Sequence, residues 1–526
     1  MPDPTAPARA EDAARAPHPR FGAAFLAAFL VTFVAMGLWS LATPLFGGPD
    51  EPAHVIKAAA VVRGQLVGEV VGGAKSPFAR VQVPEFYATT RAIPNCFHQS
   101  PTTPASCAAA PFGSATPSDV LTYVARYPPL YYALVGLPSL LGDGTTELYL
   151  MRLLSAALSA SLIALAMAAV VAWGRSRLAL GGIVVAATPT VLFLGGVVNP
   201  TGLEIAAAIC AWTTGSLLVV ERAADPPVGL VVSFGLAAGV FELVRGLSLL
   251  WLALTLVFLV ALRGGALGSL LRRRAVLVAG AAVLAIGAVA LSWVLVEHAL
   301  NVYSRTPVPL GIPESQILET AFARNDAFWH QMIGVFGWVD TTSPLFTYVA
   351  WTGLLGAVVL GAAVLARLRD ALVLGALAIA VVVLPVVISA SQVHTDGFTW
   401  SGRDTLPLAV GLPILAGVLA ADRLAGSGRS ATRGLLSAVV VLAGPAQVAA
   451  YFAGLRRNAV GTAGPDFGFL VSSPFNPPLG NAGLLALEIA VVLVAVGLVA
   501  RAARRGPAAG DAAGATLART PDVARA

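Results

Sequence analysis

Charge is scarce in this chain. Only 11% of its 526 residues are Asp, Glu, Lys or Arg, well below the roughly 25% of an ordinary soluble domain. So few charges cannot clothe a water-facing surface of this size, which excludes a soluble globular protein. Lysine is nearly missing: of 33 basic residues only Lys57 and Lys75 are lysine. With abundant Ala, Gly and Val, that is the composition of a GC-rich bacterial genome. There are three cysteines. No glycine-rich phosphate loop and no dinucleotide fingerprint occurs, which weighs against an ATP-driven pump. No repeat of two matching halves is visible, which disfavours the common transporter folds. The net charge of +6 is accounted for by loop arginines and gives no case for nucleic acid.

What is present is apolar. Hydrophobic residues make up 57% of the chain, and the mean hydropathy is +0.80. Runs of about 20 apolar residues, the length needed to cross a bilayer, fall near 22–44, 148–173, 178–198, 202–220, 228–244, 246–262, 275–297, 346–366, 371–390, 406–421, 434–453 and 482–500. The expectation is an all-α polytopic membrane protein with about twelve transmembrane helices, occupying 21–500. The first run shows no cleavage site behind it and reads as a retained helix. Residues 1–20 and 501–526, rich in Pro, Ala, Arg and Asp, read as disordered cytoplasmic ends.

Arginine placement orients the chain. With the N-terminus inside, the short inner loops carry Arg175 and Arg177, Arg222, Arg263 with Arg272 to Arg274, Arg367 and Arg369, Arg423 with Arg429 and Arg433, and Arg501 with Arg504 and Arg505. This satisfies the positive-inside rule, provided that Pro128 to Leu141 is an outer or re-entrant segment rather than a full span. Both termini are then cytoplasmic, in a bacterial plasma membrane. The long loop 44–147 lies outside. Its first stretch, from Glu51 to Leu66, spaces Val55, Ile56, Ala59 and Val62 as an amphipathic juxtamembrane helix on the membrane surface. Cys96 and Cys107 share this loop. Outside a bacterial membrane they can pair as a disulfide, against two free thiols. Cys210, inside a span, reads as a small core residue.

Five polar clusters fall on that outer side. Pro49-Asp50-Glu51-Pro52-Ala53-His54 follows the first span. Its bland reading is an Asp50 cap with Glu51 favoured by the helix dipole. Its chemical reading is a general base, or a carboxylate ligand for a divalent cation (Mg or Mn) with His54 adding a nitrogen. Arg126-Tyr127-Pro128-Pro129-Leu130-Tyr131-Tyr132 is an interfacial anchor or the lining of a sugar or phosphate site. Asn199-Pro200-Thr201-Gly202 is a turn with Asn199 or Thr201 capping the next helix, and Glu204 lies one turn inside it. Phe336-Gly337-Trp338-Val339-Asp340-Thr341 is an aromatic belt or a platform for sugar or isoprenoid. Last comes His394 through Ser401-Gly402-Arg403-Asp404. Arg403 snorkels from a helix end or binds phosphate. Glu242 and Arg245 read as a pair within one hairpin.

Five of these motifs together resemble a family of bacterial multi-span proteins, domain of unknown function 2142. They are Pro49 to His54, Tyr127-Pro-Pro-Leu-Tyr-Tyr132, Val198-Asn199-Pro200, Phe336 to Thr341, and Gly402-Arg403 before Leu406-Pro407. The resemblance covers about 40 to 500. That family is similar to the GT-C glycosyltransferases, which take a sugar from a polyprenyl-phosphate carrier on the outer face. The resemblance implies that the acidic mark of the first outer loop maps to Asp50 or Glu51, as base or metal ligand. Two departures stand out: Asp404 where Gly-Arg-Tyr is expected, and Thr201 where an Asp is frequent. The expected function is sugar transfer from a polyprenyl-phosphate donor to an envelope glycan or glycolipid. Asp50, Glu51 and His54 are the catalytic candidates. Arg403, Asp340, Trp338, Phe336, Tyr127, Asn199, Glu204 and Asp404 are the donor or substrate contacts. The alternatives are a transporter or flippase for a lipid-linked precursor, or a non-catalytic envelope-assembly scaffold.

Overall fold

A computed structural model describes residues 20–73, 76–301, 307–424 and 429–504. The expected disordered ends lie outside these residues, except that Arg20 forms a turn and 501–504 continue the last helix. Among the described residues, ten helices are long and apolar enough to cross a membrane. In chain order the elements that matter below are α1 (Phe21–Ala42), α2 (Glu51–Val61), α3 (Leu130–Val135), α4 (Thr145–Trp173), α5 (Ala179–Ala186), α6 (Pro189–Gly195), α7 (Pro200–Ser216), α8 (Val228–Glu242), α9 (Ser248–Arg263), α10 (Arg274–Val296), α11 (Leu345–Leu365), α12 (Leu368–Asp396), α13 (Gly402–Ala409), α14 (Gly411–Arg423), α15 (Arg429–Val460) and α16 (Asn481–Arg504).

Ten long helices fall short of twelve for two identifiable reasons. The run at 178–198 breaks into α5 and α6, because Pro189 fits the first turn of a new helix and Thr188 caps it through its hydroxyl, which accepts from the Val191 amide at 3.4 Å. The run at 228–244 forms α8, only 15 residues long. The segment 128–141 is no span: it holds α3 and a four-residue 3-10 turn.

The helix α2 does not lie on a surface. All eleven of its residues are buried. The apolar spacing that suggested a one-sided helix is real, but protein covers the other side as well. Helix α3 and a small antiparallel sheet enclose it. The sheet joins β1 (Glu69–Val70), β2 (Ala79–Pro84) and β3 (Pro117–Thr122) in that order. The Thr122 hydroxyl donates to the Ala53 carbonyl at 3.1 Å. These short strands were not foreseen: β2 alternates buried and exposed residues over only part of its length, too briefly for a period-2 signal among the turn residues around it. The Cys96–Cys107 disulfide closes the next turn of this loop.

One glycine fixes how the core of the bundle meets the first loop. A Cβ on Gly196, after α6, would stand 2.4 Å from the Met36 carbonyl oxygen and 3.0 Å from the Ser40 nitrogen of α1. Both are backbone atoms and cannot yield. The close approach delivers the 196–199 turn to the start of α2. We expect Gly196→Ala to lower the unfolding temperature in detergent, by an overpacking cost of about 1–3 kcal/mol. Gly280→Ala in α10, where nothing lies within 4 Å of the added carbon, should leave it unchanged or raise it slightly. Equal effects would contradict this account of the contact.

Candidate functional site

The chain leaves α1 through a tight turn, in which the Gly47 amide donates to the Pro44 carbonyl at 2.9 Å. Asp50 then takes a left-handed backbone, φ +59°, a conformation that Asp tolerates better than most residues. Pro52 follows in the first turn of α2. The expected Asp50 cap is not made: the residue holds the cap position, but its side chain makes no capping bond. The left-handed backbone aims it elsewhere.

The two neighbouring acids have opposite surroundings. Glu51 is buried at 1% exposure, as is Arg152 of α4. Arg152 donates to both Glu51 oxygens, Nε to Oε1 at 2.7 Å and Nη2 to Oε2 at 2.6 Å. The Val198 amide adds 3.0 Å to Oε1 and the Gly48 amide 3.2 Å to Oε2. Arg152 also reaches the carbonyls of Ser40, Thr43 and Pro44, each at 2.8 Å. Each Glu51 oxygen thus accepts two bonds inside the protein.

Asp50 is 28% exposed. Its Oδ1 accepts from the Tyr123 hydroxyl at 2.8 Å, and its Oδ2 from Arg403 Nη2 at 2.7 Å. Burial pushes the Asp50 carboxyl up, but the Arg403 guanidinium and the Tyr123 hydroxyl outweigh it and hold the group below its usual value. Tyr123 is pushed well up in turn, by burial and by the Asp50 charge. Arg403 Nη1 is buried and has no hydrogen-bond partner.

A second arginine lies alongside. Arg245 donates to Glu204 Oε2 and to Asp404 Oδ1, both at 3.0 Å. It does not pair with Glu242, whose Oε2 is left without a partner. The Ser248 hydroxyl holds the other Glu204 oxygen at 2.7 Å. Asp404 also closes a capping box with Ser401 at the start of α13. Tyr127 links the two halves, its ring 5.8 Å from the Arg245 guanidinium and 5.9 Å from the His54 ring. His54 is buried, hydrogen-bonded through Nδ1 to the Tyr132 hydroxyl at 2.9 Å. Burial lowers its pKa to about 3, so it is neutral at pH 7. Lys57, one turn on, is buried too, donates to the Leu66 and Ala125 carbonyls, and is lowered by burial to about 7.

The fold thus joins Asp50, Arg403, Asp404, Glu204, Tyr127 and His54 in one polar cluster. Asn199 borders it, capping α7 by accepting from the Thr201 amide at 2.9 Å and donating to the Pro49 carbonyl at 2.9 Å. Three expected contacts stand apart. Phe336 is 2% exposed and packs on Trp39, ring centroids 4.5 Å apart, as core. Asp340 pairs with Arg457 at 2.8 Å, and Arg457 also binds the Phe97 and Thr103 carbonyls of the disulfide loop. Trp338 donates to the Phe46 carbonyl at 3.1 Å and lines a cavity of about 110 Å³ with Tyr123, Pro52, His98, Asn95 and Arg91.

Sequence reasoning missed Arg152, Tyr123 and the true partners of Arg245. For Arg152 the signal was there: a lone arginine inside an apolar 29-residue helix needs a buried partner. For Tyr123 there was none. Among the described residues no group of three or more His, Cys, Asp or Glu side chains is placed to hold a metal ion, and both Glu51 oxygens accept from Arg152.

A family model described as "Predicted membrane protein (DUF2142)" matches residues 33–412. No curated protein matches. Among solved structures, the crystal structure of ArnT from Cupriavidus metallidurans bound to undecaprenyl phosphate is similar at 17% identity and a TM-score of 0.41, covering 94% of this chain and 79% of that one. A likeness that loose carries no functional argument.

Two outcomes follow. Glu51→Gln should cost about 3–5 kcal/mol by stranding Arg152 in the interior, whereas Asp50→Asn should fold. Size-exclusion profiles and thermal melts in detergent check both, and a well-folded Glu51→Gln protein would contradict the first. His54 sets a pH window. Its unfolded form gains a proton below about pH 6.5 and its folded form only near 3, so stability is whole above 6.5 and falls as pH drops, by about 1.4 kcal/mol per unit. His54→Gln should lose less stability than the wild type between about pH 6.5 and 4.5. Parallel curves would show that His54 is not the titrating group.

Proposed function

The chain belongs to the DUF2142 family of predicted membrane proteins, and we propose that it is a GT-C-type glycosyltransferase. It moves a sugar from a polyprenyl-phosphate donor to an envelope glycan or glycolipid on the outer face of a bacterial plasma membrane. The observation that carries this reading is the division of labour at 50 and 51. Glu51 is consumed by Arg152 and two amides. Asp50 is reachable, sits between a tyrosine hydroxyl and an arginine, and that arginine has one nitrogen still unpartnered.

In this reading Asp50 is the base. The acceptor hydroxyl attacks the anomeric carbon, its proton passes to Asp50, and the bond from that carbon to the phosphate oxygen breaks. The lipid phosphate leaves with the electron pair, and Arg403 neutralises its charge, with Arg245 behind it. Attack opposite the leaving group inverts the anomeric centre. At rest Arg403 and Tyr123 hold Asp50 below its usual value, so the proton transfer depends on that arginine's charge being drawn off. Three carboxylates (Asp50, Glu204, Asp404) face two guanidiniums in this cluster, so a proton gained at Asp50 balances it. A phosphate on Arg403 Nη1 draws the guanidinium's charge away from Asp50 and raises its affinity for that proton. His54, neutral and held by Tyr132, orients the site and brings no charge. The cavity lined by Tyr123 and Trp338 meets Asp50 through the Tyr123 hydroxyl, and the acceptor would approach from that side. Asp404 anchors Arg245 and the start of α13.

The test is Asp50→Asn and Arg403→Gln expressed in a deletion strain, with envelope glycan composition read against protein level. Each should lose transfer by about 100-fold or more while still accumulating. A wild-type glycan with Asp50→Asn would sink the catalytic assignment. Normal transfer with Arg403→Gln would remove the donor-phosphate role.

A further inference from the structure

A second cavity among the described residues lies away from this site and is of another kind. It is a groove of about 560 Å³ along α1, α15 and α16, none of which contributes a residue to the Asp50 cluster. Its walls are alanines, valines and leucines, with Ala27, Val31 and Val492 on facing sides. Three arginines line it, Arg20, Arg177 and Arg501, and all three stand at the ends of elements on the arginine-rich side: the start of α1, the turn after α4 and the last turns of α16. Toward the other end stand Gln447 and Glu488, both at most 6% exposed. They touch each other through Gln447 Nε2 and Glu488 Oε1 at 3.4 Å, while Gln447 Oε1 and Glu488 Oε2 have no partner. Along α16, Glu488 and Arg501 are separated by about 20 Å at the helical rise. One leaflet of hydrocarbon measures roughly 15 Å. The apolar stretch is therefore somewhat longer than one leaflet, with cations at its mouth and a polar floor past the bilayer midplane.

We propose that this groove is a binding site for a single anionic phospholipid. Its phosphate meets the arginine end and one acyl chain fills the slot toward Glu488. Charge complementarity selects the occupant. A zwitterionic lipid would gain the same chain burial, but its ammonium group would meet three guanidiniums. Alanine walls leave the slot open to a chain, where larger residues would fill it. Arg177 is buried and also donates to the Val170 carbonyl at 2.7 Å, so it forms the fixed part of the head site. Arg20 and Arg501 are exposed and complete it from either side.

The test is native mass spectrometry of the delipidated full chain in detergent, titrated with phosphatidylglycerol or phosphatidylcholine. One phosphatidylglycerol should be retained in preference. Arg20→Gln with Arg501→Gln should weaken it roughly tenfold or more and leave phosphatidylcholine unchanged. Ala27→Trp, a half-buried position on the groove wall, should weaken both lipids by blocking the slot. Thermal melts confirm that each variant is folded. Equal retention of the two lipids, or an unchanged preference in the double arginine variant, overturns the head site. Unchanged phosphatidylglycerol binding in Ala27→Trp overturns the slot, because the lipid would then sit on the surface alone.

Discussion

The buried pair of Glu51 and Arg152 is the constraint on which the rest of the first loop depends. Two ions taken out of water cost several kcal/mol each, and only a complete set of partners makes them tolerable. Arg152 gathers three carbonyls from the end of α1, and Glu51 gathers the amides of Gly48 and Val198. One ion pair therefore ties α1, α2, α4 and the turn before α7 at a single point. None of the four can shift without stranding a charge, so the geometry at position 50 is inherited from position 51.

That inheritance explains why adjacent acids do different things. A left-handed residue immediately before a helix turns its side chain away from the helix axis. Asp50 thereby faces Tyr123 and Arg403, while Glu51 points into the bundle. Arg403 comes from α13, hundreds of residues later, and Arg245 from the loop before α9. The cluster is held by long-range packing, and Gly196 against α1 fixes the turn that borders it. Its charges are shared and one proton short of balance, a state suited to a group that accepts a proton as a phosphate arrives.

The apolar runs made the membrane character legible, because a span of 20 apolar residues has few other uses. The helix count was less legible. Pro189 and Thr188 end one helix and start another within a run whose hydropathy does not change, and α8 is only 15 residues long. The cluster positions at Asp50, His54, Glu204, Arg403 and Asp404 could be read as polar groups at span ends. Their pairing could not: Arg245 stands three residues from Glu242 in sequence yet bonds Glu204 and Asp404. Asn199 did the capping that local chemistry predicted, whereas Asp50 did not, since tertiary contacts took its side chain. Phe336 and Asp340 each lie two residues from Trp338 and have different fates, one in the core and one clamping the disulfide loop. No local pattern separates them.

In the proposed mechanism Arg403 is shared between Asp50 and a lipid phosphate. An electron cryo-microscopy map of the full chain with polyprenyl phosphate bound should show phosphate density within hydrogen-bond distance of Arg403 Nη1, with Glu51 and Arg152 unmoved beneath it. Phosphate density elsewhere, with the Asp50–Arg403 pair closed and that nitrogen still bare, would contradict it.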